Sequence, residues 1–417
     1  MMTEEKTKLS FLVILSALMA FTSLSTDIYL PAMPAMQATL GGSVQLTITG
    51  FVVGFAIAQL IWGPISDRIG RKLPLMLGTA LFAIASIAIS FSSSMEAVVA
   101  WRVLQAIGAC VGPMLSRTMV RDLYSASKAA QMLSTLMIIM AVAPIVGPLL
   151  GGMILKFGDW QHIFYLIAGI AVMLLFFIPT LPETLPKEKR TQSTSLGQAF
   201  RNYGKLLDMK GFMLYTLSVT FFYIGAYAFI TESSVIYIEH FHVPAQYYGF
   251  LFGLNMIGIT VVSFFNRSLV NRFSLATLLK TSTTIAFLAG LWLALDSFTG
   301  FWGLWGIAVP MLLAFSMNGI IGACSNAAAL AKAPDNITGS AAALLGSMQY
   351  GSGFVSSVLL AIFSNGTPIA MGVIIAVSLF LAMVSAYGAA VLEKKEQKGK
   401  SNSWENEKQM NWQRETN

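Results

Sequence analysis

Apolar residues in this chain fall into twelve blocks, each about as long as a helix that crosses a bilayer: 10–36, 44–66, 73–92, 96–117, 131–155, 162–182, 212–234, 246–267, 276–296, 301–325, 337–364 and 366–392. A hydrocarbon layer about 30 Å thick takes ~20 residues at 1.5 Å each. Inside it every backbone amide must be satisfied by the chain itself, so such blocks fold as α-helices. The fold class read from them is an all-α membrane protein of twelve transmembrane helices. The first block is too long for a signal h-region and no A-x-A-like cleavage site stands out, so it is read as a retained span. Only 11% of the 417 residues are charged, against ~25% in a soluble chain.

The net charge of +7 raises the question of nucleic acid, and the placement of the charges answers it. With the N-terminus inside and twelve spans threaded, 24 of the 26 lysines and arginines fall in inside segments, Arg117 and Arg121 among them. Lys156 alone falls outside, and Arg102 lies within a span. This positive-inside bias puts both termini in the cytoplasm. The basic balance therefore records topology, and no nucleic-acid partner is expected. Cys110 and Cys324 lie in different blocks and read as small apolar residues. There is no G-x-x-x-x-G-K-[ST] and no H-E-x-x-H, and His162, His240 and His242 sit at or near span ends. No cofactor, no metal and no enzyme activity are expected.

The longest polar stretch between blocks, 183–211, divides the chain. It leaves a six-helix bundle over 1–182, a cytoplasmic linker over 183–211, a second six-helix bundle over 212–392 and a polar tail over 393–417 that is expected to be disordered. The halves repeat each other. GFVVG at 50–54 precedes Asp67-Arg68 by the same interval that separates GFLFG at 249–253 from Asn266-Arg267. Repeated halves are the mark of secondary transporters, whose substrate site lies between them near the midplane.

Four segments carry unusual chemistry. GPISDRIGRK (Gly63 to Lys72) joins the second and third blocks. Gly63 and Pro64 suit a helix end, and Asp67 suits a cap or an ion pair; by charge alone the segment also reads as a short positive-inside turn. WRVLQAIGACVG holds Arg102 inside the fourth block, where a guanidinium costs a few kcal/mol unless paired or wet. Snorkelling toward the end near Glu96, ~9 Å along the helix, is the other reading. APIVGPLLGG in the fifth block sets Gly147 and Gly151 on one face, open to close helix approach, with Pro144 and Pro148 able to bend the helix. STDIYLPAMP places one acid, Asp27, at the far end of the first block. It reads either as a proton site beside Arg102 or as a carboxylate in interfacial water at a helix end closed by Pro31.

These segments resemble the major facilitator superfamily. Gly63–Lys72 matches its loop G-x-x-x-D-R-x-G-R-[RK], which implies that Gly63, Asp67, Arg68, Gly70 and Arg71 latch one conformation of the two halves. The second copy, Asn266 to Phe273, has lost the acid and the glycines. Arg102, Gln105 and Gly108 match R-x-x-Q-x-x-G, linked in the family to proton transfer. Pro144, Gly147, Pro148, Gly151 and Gly152 match the motif of its antiporters. Thr26 to Pro34 is similar to the first-helix signature of the Bcr/CflA drug-resistance branch of twelve-span drug:H+ antiporters, and DWQHIF (159–164), LPET (181–184) and FGLN (252–255) extend the likeness over 20–275. The resemblance implies proton-coupled efflux of small amphipathic or drug-like compounds across a bacterial inner membrane, by a monomer, with Asp27 and Arg102 coupling the proton. A specific metabolite transporter of the same fold is the alternative; a receptor is disfavoured by the short loops. Candidate cavity residues are Tyr29, Tyr223, Tyr227, Asn255, Met256, Asn318, Gln349 and Glu232, the last read also as a residue of the outer rim.

Overall fold

The computed structural model describes residues 2–415 apart from 125, 191–195, 335–336 and 365, with backbone alone at 2–9, 121, 126–131, 133–135, 137–141, 189, 196–200, 338 and 396–415. Part of the expected linker, 191–195, thus lies outside the described residues. Among those described, regular structure is entirely helical. Eleven helices are long and apolar enough to cross a membrane: Ser10–Leu40, Gln45–Ile69, Lys72–Ser90, Met95–Val120, Gln161–Thr180, Lys210–His240, Ala245–Leu269, Leu275–Thr299, Leu304–Lys332, Gly339–Phe363 and Pro368–Lys395. They form spans one to four and six to twelve. The fifth expected span is the helix Ala126–Phe157, apolar through its described part Val142–Phe157. A further helix, Leu196–Leu207, runs through the linker.

Three helix ends differ from expectation. The second span does not stop at Gly63-Pro64 but runs to Ile69. A single proline removes one donor, and in membrane helices neighbouring groups make this good; here the Ser66 hydroxyl donates to the Gly63 carbonyl at 2.8 Å. The turn falls instead at Gly70, whose φ of +98° is open to glycine but strained for other residues. A Cβ there would also lie 2.5 Å from the Glu183 carboxylate. Pro31 does not close the first span. The helix stops at Asp27, a short 3-10 turn spans Leu30–Ala32, and the helix resumes over Met33–Leu40. The last helix continues to Glu415 where a disordered tail was expected; the tail is rich in Glu, Lys and Gln, good helix formers, and has no proline.

The two halves meet where span two packs against span eleven and span five against span eight. The repeated glycines serve different neighbours. Gly50 and Gly54 face Val99 and Val103 of span four, within the first half, whereas Gly249 and Gly253 face Leu149 and Ile145 of span five, across the divide. Large apolar side chains such as Phe176 (76% exposed) and Ile362 (66%) point outward along the spans. A surface this apolar suits lipid rather than water.

Candidate functional site

Asp27 is the last residue before the break in span one, and it is 7% exposed. That burial removes the wet helix-end reading. Span five lies against the break: a Cβ on Gly147 would come 3.3 Å from the Asp27 Cβ, and one on Gly151 only 1.8 Å from the Ile28 carbonyl. Only glycine permits this approach, so the span-five motif physically seats the segment that carries the acid. Pro148 lies buried within the same helix and Pro144 half-buried, while Gly152 faces Ala245 and Gln246 of span eight.

Arg102, 1% exposed, does not snorkel. Its guanidinium sits 4.3 Å from the ring centre of Tyr29 and 4.4 Å from that of Phe51, contacts worth about 2 kcal/mol when desolvated. Its Nη1 donates to Gln105 Oε1 at 2.6 Å and to the Ser25 carbonyl at 3.4 Å. Gln105 Nε2 in turn donates to Ser86 Oγ at 2.7 Å. Tyr29 is fixed by a 3.1 Å hydrogen bond between its hydroxyl and that of Thr47. It is therefore the platform under Arg102 rather than a wall of the cavity. No ion pair joins Asp27 to Arg102 among the described residues, although both line one cavity of about 100 Å³ between the halves. Phe51 and Phe55 close it from the first half, and Tyr227, Ile230 and Tyr350 from the second.

Phe55, Pro113 and Tyr350 also line a second cavity, of about 440 Å³, at the end of the bundle that holds the Gly63–Lys72 loop. Tyr350 and Phe55, with ring centres 4.6 Å apart, lie where the two spaces adjoin. Gln59, Asp67, Arg71 and Arg117 of the first half, Tyr203 of the linker helix and Ser340 of span eleven line this larger space. Arg117, counted from the sequence as an inside-segment residue, is in fact within span four and faces this cavity.

Arg71 is the centre of a charge cluster at this basic end. It is 2.5 Å from Asp67 and 3.0 Å from Asp122, and donates to Ser66 Oγ at 2.8 Å. Burial pulls its basicity down, but the hydrogen bonds and charges of Asp67 and Asp122 outweigh this and hold it above the ordinary arginine value. Glu183 accepts from the backbone nitrogens of Arg71 (2.9 Å) and Lys72 (3.2 Å), with Arg190 at 3.8 Å. Burial raises its pKa, yet these donors, the Leu185 amide and the charge of Arg190 leave it below the ordinary glutamate value. Thr184 donates to Asp122 at 3.0 Å. Among the described residues the ion-pair partners of Arg71 lie in the first half, so the cluster ties spans two, three, four and six to one another. Gly63, open around its Cβ position, lines the adjoining cavity, and Arg68 is exposed at the helix end. At the matching corner of the second half, buried Asn266 receives only a 3.9 Å contact from the Cys324 thiol.

Of the other candidates, Tyr227 alone lines the Asp27 cavity. Tyr223 stands beside it, ring centres 6.1 Å apart, and its hydroxyl accepts from Asn318 Nδ2 at 3.4 Å. Asn255 is buried and turned back on the Leu251 carbonyl at 3.1 Å. Met256 packs into the core, and neither it nor Gln349 lines the cavities described. Glu232 lines neither of the two cavities and, although near the outer end of span seven, is not exposed. At 1% exposure it accepts from Gln45 Nε2 of span two at 3.3 Å and from Ser364, joining the halves at the end remote from the charge cluster. The sequence reading missed Asp122, Glu183 and Thr184 as members of the cluster; LPET, containing two of them, was the only signal.

The Major Facilitator Superfamily model matches residues 15–357. The chain is 31% identical over 366 residues to the bicyclomycin resistance protein homolog of Haemophilus influenzae, covering 86% of this chain and 91% of that protein. It is 28% identical over 358 residues to multidrug resistance protein D of Escherichia coli, covering 84% and 88%. Among solved structures, a D-xylose–proton symporter superposes with a TM-score of 0.71 at 16% identity over 90% of this chain and 97% of that one, a likeness of fold alone.

Proposed function

The chain belongs to the Major Facilitator Superfamily, in its Bcr/CflA drug-resistance branch, and from that premise we propose that it exports small amphipathic compounds in exchange for protons by alternating access. The observation that carries this is Asp27: a buried acid at a helix break, in a cavity shared by both halves, without an arginine bonded to it. An acid held in an ion pair would bind a proton more weakly. Here Tyr29, Phe51 and Gln105 hold Arg102 instead, leaving the Asp27 carboxylate to take either a proton or a substrate group. Protonation changes the net charge of the Asp27–Arg102 cavity from zero to +1, which alters its affinity for a substrate. A ligand shifts the facing states only through such a difference, and rocking of the 1–182 and 212–392 halves about the midplane carries out the shift.

In this reading the basic end is cytoplasmic, both termini lie there, the membrane is the bacterial inner membrane, and the unit is a monomer. The 440 Å³ cavity is then the approach from the cytoplasm. The test is Asp27→Asn in energised inverted vesicles given bicyclomycin or ethidium, with proton movement read by a pH-sensitive dye. The expected result is a loss of drug-driven proton movement of at least tenfold with the fold intact. Wild-type proton movement in the variant would sink the reading.

A further inference from the structure

Arg117 carries a charge without an ion-pair partner among the described residues. It lies on span four one turn beyond Pro113, about 6 Å along the helix and on the same face. Pro113 lines both cavities, and Arg117 lines the larger one just below it. Among the described residues it makes no ion pair, and its Nε is buried without a hydrogen-bond partner. A guanidinium has five donors and no acceptor, and a buried donor left unsatisfied costs about 1–3 kcal/mol. Among the described residues its neighbours supply no free acceptor carboxylate. Asp67, the acid on this wall, is held at 2.5 Å by Arg71, and Asp122 is held by Arg71 and Thr184. Asp27 and Arg102 lie in the deeper cavity. Opposite Arg117, Gly339 and Ser340 in the first turn of span eleven line the same space, and the start of a long helix favours negative charge. Among the described residues the cavity thus holds an unshared positive charge and no unshared negative one, with aromatic side chains, Phe55 and Tyr350, at its deep end.

We infer that Arg117 is the recognition site for an anionic oxygen group, of the carboxylate class, on a substrate whose aromatic or apolar body extends toward Tyr350 and the Asp27 cavity. This rests on the transport reading above and gives its substrate a chemical class. The geometry sets the order of engagement: the acidic group meets Arg117 in the larger cavity, and the apolar body lies against Phe55 and Tyr350.

The test compares 2-naphthoate with its neutral isostere 2-naphthamide, binding to the purified full chain at neutral pH. Wild type is expected to prefer the carboxylate about tenfold, the effect of one charge-assisted hydrogen bond. Arg117→Gln abolishes that preference without lowering the melting temperature, and Arg117→Lys keeps most of it. A wild type without the preference, or an Arg117→Gln protein that retains it, overturns the inference. Export of bicyclomycin by the same preparations in vesicles separates the two ideas. Preserved naphthoate preference with no Asp27-dependent export would refute the exporter reading alone; normal export without the preference would refute the Arg117 site alone.

Discussion

The second and eighth spans are alike in sequence pattern and unlike in the chemistry at their ends. Each carries a G-F-x-x-G start and an Arg at a matched interval, and each ends on the basic side of the bundle. In the first half that end is tied down by Asp67, Arg71, Asp122, Glu183 and Thr184. In the second, Asn266 meets a thiol at 3.9 Å, beyond the range of a firm hydrogen bond. Both copies keep the glycines, though against different neighbours, while among the described residues the charge cluster is found in the first. The first half is therefore the stiffer frame at this end, and the second is freer to shift against it.

The strongest way to break this comparison is to remove Arg71. Its loss strands Asp122 and the half-exposed Asp67, a cost that solvent holds below the ~3–5 kcal/mol of a fully buried pair. Arg71→Ala is expected to lower thermal stability sharply and reduce export in vesicles more than tenfold, whereas Asn266→Ala stays within twofold. Equal losses would mean that the halves are alike after all. A smaller contrast lies in the glycines. Gly151→Ala pushes a methyl against the Ile28 carbonyl, and overpacking of this kind costs about 1–3 kcal/mol. At Gly253 the nearest atom to a new Cβ is 3.5 Å away. Gly253→Ala should leave the melting temperature unchanged or raise it slightly, since alanine favours helix. A destabilised Gly253→Ala protein would contradict the spacing between spans five and eight.

The smallest effect concerns acid. Glu183 is held below its ordinary value of 4.5, so its ionised form stabilises the fold. That contribution is complete above about pH 4.5 and fades as pH falls through the lowered value. Melting curves of wild type and Glu183→Gln should therefore be separated at neutral pH and converge in acid; parallel curves throughout would remove Glu183 from the cluster's energetics.

Much of this was legible in the sequence because the controlling signals are local. Apolar length marks the spans, and Gly147 and Gly151, one turn apart, give the close approach to another helix. The partners were not legible. Arg71 meets Asp122 and Glu183 across 51 and 112 residues, and no periodicity encodes a contact of that range. The same holds for Tyr29 beneath Arg102 and for Glu232 with Gln45, 187 residues apart. Pro64 and Pro31 misled in a different way: proline was read as a stop, while in these spans the helix carries on through or beyond it.

At the far end, the Gln45–Glu232 contact has an energetic meaning. Among the described residues one hydrogen bond there, and a long contact from the Ser234 hydroxyl to Met33 sulfur at 3.6 Å, tie the halves at this end. If that end parts, water replaces Gln45 as the donor to Glu232, and an exchange of that kind is worth only ~1 kcal/mol. The polar tie thus adds little to the seal at that end, and the apolar packing of the break in span one against spans seven and eight supplies the rest.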